Sequence, residues 1–119
     1  MRAATSIFVL MLAGCQGPEA SDPAVCRDYI HRLCISPVCA QVLPLFTAGA
    51  SCEKTLQTKS GCLGDDFVFT APITRDRFLN CRLALLRAGS NNEAHPNCDD
   101  VAEAFDRCPD VVRMIQGIK

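Results

Sequence analysis

No stretch of this 119-residue chain stays apolar long enough to cross a bilayer: Ser6–Leu12 is a short run, well under the ~20 residues a span needs. Clustered charge is missing as well. Twelve basic residues are scattered among 13 acidic ones, for a net charge of −1, so no basic face points to nucleic acid. Histidine is confined to His31 and His95, and no two cysteines stand as Cys-x2-Cys, so the usual ligand spacing of a zinc site and the motif of a redox exchanger are both lacking. Nor is there a Gly-x-Ser-x-Gly elbow or a His-Glu-x-x-His pair. No catalytic residue, metal ligand or cofactor is therefore nominated.

Cysteine is what the chain has in excess, and its number is awkward. Nine thiols would leave one unpaired in an exported protein. The N-terminus accounts for the odd one. Arg2 supplies a positive charge, Ser6–Leu12 the apolar stretch, and Leu12-Ala13-Gly14 small residues just before Cys15. This segment resembles the lipobox of bacterial lipoproteins. The resemblance covers residues 1–15 and implies a cleaved signal peptide at 1–14 and lipidation at Cys15. It also implies attachment to the membrane through N-terminal acyl chains. Gln16 in place of an aspartate implies delivery to the outer membrane under the sorting rule of enteric bacteria.

With Cys15 set aside, Cys26, Cys34, Cys39, Cys52, Cys62, Cys81, Cys98 and Cys108 remain, an even set. In an oxidising compartment they are expected to form four disulfides. Eight cysteines allow on the order of a hundred connectivities. Helical rise excludes two pairs. Cys26 and Cys34 would lie about 12 Å apart on one helix, and Cys98 and Cys108 about 15 Å, beyond the ~7 Å a bridge allows. The bridges must therefore join different helices. Cys52-x9-Cys62 and Cys98-x9-Cys108 look like the twin hairpin motifs of the mitochondrial intermembrane space, but there the paired helices are consecutive, whereas here Cys81 and a whole helix intervene. Plant-type lipid-transfer proteins also carry eight cysteines on helices, with adjacent Cys-Cys steps that this chain lacks.

Residues 15–21 read as the lipidated cysteine and a polar linker containing Gly17 and Pro18, with a reach of about 20 Å. Residues 22–119 read as one cysteine-rich domain, all-α: a small disulfide-stapled bundle of about five short helices. Asp22-Pro23 signals the first start, followed by Val25, Cys26, Tyr29, Ile30 and Leu33 at spacings of three and four. Ser36-Pro37 signals another, carrying Val38, Cys39, Val42 and Leu43 until Pro44 interrupts it. Ser51 is expected to cap a helix closed by Gly61. The longest pattern is Thr74–Ala88, whose apolar arc takes in Phe78, Leu79, Cys81, Leu83, Leu85 and Leu86. Arg75 and Arg82 fall inside that arc and need water or carboxylates. Asn97 caps a fifth helix through Val101 and Phe105, and Pro109 opens a last short one.

One segment, Gly64–Pro72, has no helical period. If extended, it sends Phe67 and Phe69 to the same side, either onto the core or outward as a contact loop for a partner or a lipid. Asp28 and His31, three apart on a helix, would be neighbours on its polar face and are read as a solvated surface pair. Asp65-Asp66 and Asp99-Asp100 are read as turn and helix-start residues rather than calcium ligands. The expected role is non-enzymatic: contact with an envelope protein, or envelope structure. The alternatives are a carrier holding an apolar ligand among Leu79, Leu83, Leu86 and Phe105, and last a small hydrolase.

Overall fold

A serine and a proline decide where the first helix begins. In a computed structural model, which describes residues 20–36, 38–47, 49–86 and 96–118, α1 runs Asp22–Cys34. The Ser21 hydroxyl caps it by accepting from the Ala24 N–H at 3.4 Å. Asp22 is thus the first helical residue and not the cap. Its carboxylate instead accepts from the Phe69 backbone N–H at 3.1 Å and from Arg75 Nη1 at 2.6 Å. Ser21 already serves the orphan amide, so the acid is free to hold another part of the chain. The apolar face of α1 is fully buried from Val25 through Cys26, Tyr29 and Ile30 to Leu33.

The second helix, α2 (Cys52–Ser60), is capped by Ser51 and closed by Gly61 at φ 86°, the left-handed stop its sequence announces. It has nine residues and buries only Leu56, too little to hold a helix of that length by packing. Covalent bonds do it instead. Cys26–Cys62 and Cys34–Cys52 clamp α2 antiparallel to α1 at both ends.

The helix expected after Ser36-Pro37 does not form. Residues 38–42 are turns, and only Leu43–Leu45 make a short 3-10 turn with Pro44 in its first positions. Pro44 has no N–H to give the carbonyl four residues back, so an α-helix beginning near residue 37 would be cut after a turn or two. Ser36 is not a cap; its buried hydroxyl donates to the Pro96 carbonyl at 2.8 Å. Cys39–Cys98 then ties this irregular segment to the start of α4.

Helix α3 is described over Arg75–Leu86; Arg87 and Ala88 of the expected helix, and Gly89 beyond it, lie outside the described residues. Its buried face is rotated from the expected arc. Phe78, Cys81, Arg82, Ala84 and Leu85 are buried, whereas Leu83 and Leu86 are 50% and 39% exposed. The rotation brings Arg82 against α1, where Asp28 receives its guanidinium at 2.9 Å. Helix α4 (Cys98–Arg107) starts with a complete capping box between Asn97 and Asp100. Cys108 ends it, and Pro109 opens α5 (Pro109–Ile115), which buries Val111, Val112 and Ile115. Cys81–Cys108 joins α3 to that junction. The fold is an all-α bundle with four inter-element disulfides, and neither of the two excluded pairs is among them.

These pairings give the bundle two ends. One gathers the start of α1, the end of α2 with Cys62, the segment 63–73 and the start of α3. Gly117, just past α5, joins it: a Cβ there would come within 2.7 Å of the Lys59 carbonyl oxygen. The other end holds Cys34–Cys52 and Cys39–Cys98.

Candidate contact site

The segment Gly64–Pro72 is non-helical, as its composition implies, and is fixed from both sides. Asp22 grips the Phe69 amide, and an isolated bridge pairs Thr70 with Ile73. Phe67 and Phe69 lie on one side of it and contact each other edge to face, ring centroids 5.0 Å apart. Phe69 packs on Phe78 at 4.8 Å, and Phe78 on Tyr29 at 5.0 Å. The four rings form a ladder from surface to core, with spacings in the favourable range for aromatic pairs. Phe67 and Phe69 are half-buried, while Val68 between them is 63% exposed. The rings thus brace the core and also rim a surface depression.

That depression is a groove of about 920 Å³ between the segment and α5. Phe69, Ile73, Met114 and Ile118 supply apolar walls, and Lys59 and Arg113 stand at its edge. Lys59 Nζ donates to the Leu45 carbonyl at 3.3 Å, and Arg113 has no carboxylate partner among the described residues. Asp110, also at the groove, is held by Arg77 through contacts of 3.0 and 3.2 Å, which keep its carboxyl below the usual aspartate range. The amide of Phe69 does the same for Asp22, assisted by Arg75. At the inner end of the ladder, burial pushes the Tyr29 phenol far above its ordinary value, and its hydroxyl has no hydrogen-bond partner among the described residues.

The other residues singled out in the sequence are dispersed. Asp28 is not a solvated partner of His31: its Oδ2 accepts from Arg32 Nε at 3.0 Å as well as from Arg82. His31 pairs instead with Glu53 across the α1–α2 hairpin. Asp65 meets Arg27 at 2.9 Å, and Asp100 closes the box of α4, so the two aspartate doublets serve different elements. Since Leu83 and Leu86 face solvent, they do not enclose an internal cavity with Leu79 and Phe105. Cys15, residues 1–14 and Gln16–Glu19 lie outside the described residues. Among the described residues, no helix is long and apolar enough to cross a membrane.

The α5 side of the groove is not visible in the sequence. Only Val111, Val112 and Ile115 mark that helix as apolar; Met114 and Ile118 lie off this stripe, and their role depends on where the chain folds back.

Phe69→Ala is expected to lower stability by about 2–3 kcal/mol and Phe67→Ala by about 1–2 kcal/mol, less than the ~3–5 kcal/mol of a fully enclosed ring. Thermal melts of the two variants check this order, and equal melting temperatures would remove the ladder from the account. No protein family, curated protein or solved structure matches the chain.

Proposed function

We propose that this protein is a bacterial lipoprotein, acylated on Cys15 and exported to the cell envelope, whose stapled helical domain acts by surface contact without catalysing a reaction. The observation that supports contact is the groove: the aromatic ladder rises through a packed core and ends in an open apolar depression at one end of the bundle. Two carboxylates nearby are held in structural pairs, Asp22 with Arg75 and Asp110 with Arg77. A rigid, pre-shaped face loses little conformational freedom on binding, which suits a small domain that works by contact.

Anchoring sets where that contact is made. One acyl chain gives only marginal membrane binding, whereas two or more, at ~0.8 kcal/mol per buried CH₂, hold a protein there stably. Metabolic labelling with a fatty-acid analogue is expected to mark the wild-type chain, and Cys15→Ser is expected to lose the label and leave the membrane fraction. An unlabelled wild-type protein would falsify the lipoprotein reading.

A further inference from the structure

We infer that the end of the domain carrying Leu63, Val68 and Ile118, with Lys59 and Arg113 beside them, rests on the phospholipid surface to which the chain is tethered. The inference depends on acylation of Cys15 as proposed above. It begins from where the chain leaves the fold. Arg75 holds the Ala20 carbonyl and the Asp22 carboxylate, and Asp22 holds the Phe69 amide. Ala20, five residues after Cys15 in the sequence, is therefore held beside the aromatic segment. Only Gln16–Glu19 lie between Cys15 and Ala20, a reach of about 15–18 Å even if fully extended. The opposite end of α1 is about 18 Å further away.

Exposed apolar side chains are found at both ends of the bundle. Leu63, Val68 and Ile118 are 52%, 63% and 49% exposed at the tethered end, and Ile35, Val38 and Leu43 are exposed at the far end. Reach separates the two. At the tethered end, Arg27–Asp65, Arg75–Asp22 and Arg77–Asp110 are paired ions, which leaves Lys59 and Arg113 against Asp66 and Asp76. The end carries no net charge, so the tether and the apolar side chains hold it at a surface. A tether this short imposes an effective concentration in the millimolar range, so the face needs only weak intrinsic affinity to stay seated. Apolar side chains sink to the headgroup boundary, and each basic residue adds about fivefold on an anionic surface. No comparable constraint names what covers the far end.

The chain has no tryptophan, so a single one reports its own position. Processed full-length protein carrying Val68→Trp or Val38→Trp is reconstituted into phosphatidylglycerol-containing vesicles with bromine-labelled acyl chains. The acyl mass of the N-terminal peptide is measured on the same samples. Val68→Trp is expected to be quenched at least about threefold more than Val38→Trp and to emit further to the blue. Lys59→Gln with Arg113→Gln, in the Val68→Trp background, is expected to reduce the quenching in acidic vesicles and leave it unchanged in neutral ones. Equal quenching at the two positions on an acylated chain overturns this inference and leaves the anchor standing. Val68→Trp that stays open to aqueous iodide overturns it too, and leaves the face to a protein partner. A chain without acyl mass overturns the anchor itself.

Discussion

Reduction of the processed domain is expected to unfold it under conditions where the oxidised protein shows a cooperative melt. The four bridges span sequence separations of 36, 18, 59 and 27 residues. Loop-closure entropy gives each about 3–4 kcal/mol. The Cys34–Cys52 loop lies inside the Cys26–Cys62 loop, so the increments are not fully additive. Even half their sum is comparable to the ~5–15 kcal/mol of a whole small domain. The packing left behind is thin where it matters: α2 contributes one fully buried side chain, and residues 38–42 have only turns. Circular dichroism with a phosphine reductant is the measurement, and a reduced chain that still melts cooperatively would contradict the expectation. Of single bridges, Cys39–Cys98 closes the longest loop, so Cys39→Ser with Cys98→Ser should cost about 4 kcal/mol.

What the sequence made legible was what local chemistry fixes. Ser51 and Gly61 bound α2 and Asn97 opens α4 because each satisfies a backbone group within a few residues of itself, and Pro109 opens α5 because it has no N–H to leave unsatisfied. The even set of eight cysteines announced the staples, and helical rise removed two of the pairings. Readings failed where a distant partner decided the outcome. Asp22 resembles a cap until Ser21 takes that role and the Phe69 amide arrives from across the fold. Ser36-Pro37 resembles a helix start, but Cys39 is drawn to Cys98 and Pro44 leaves no room for a helix. The groove was half legible: alternation placed Phe67 and Phe69 together, whereas α5 as the opposite wall is a product of the chain's return. The face of α3 was misjudged most, because periodicity counts Leu83 and Leu86 as core, whereas Arg82, read as needing water or a carboxylate, finds Asp28.

That buried arginine supports the second large expectation. Arg82 is 4% exposed, and its carboxylate partner Asp28, also bonded to Arg32, has a side chain 9% exposed. Such a pair contributes little net stability, since desolvation offsets most of the attraction, but removing one member is costly. Asp28→Ala, which deprives a buried guanidinium of that carboxylate, is expected to destabilise the domain by about 3–5 kcal/mol. Arg82→Met should cost less, about 1–2 kcal/mol, because its aliphatic stem can be replaced and Asp28 keeps the more exposed Arg32. The double variant separates a charge effect from a packing effect. With the buried cation gone, Asp28→Ala with Arg82→Met should be more stable than Asp28→Ala alone, even though it has one more substitution. Urea titration of the three proteins gives the cycle. If the double variant is less stable than either single, Asp28 and Arg82 act through independent packing, and the rotation of α3 must have another cause.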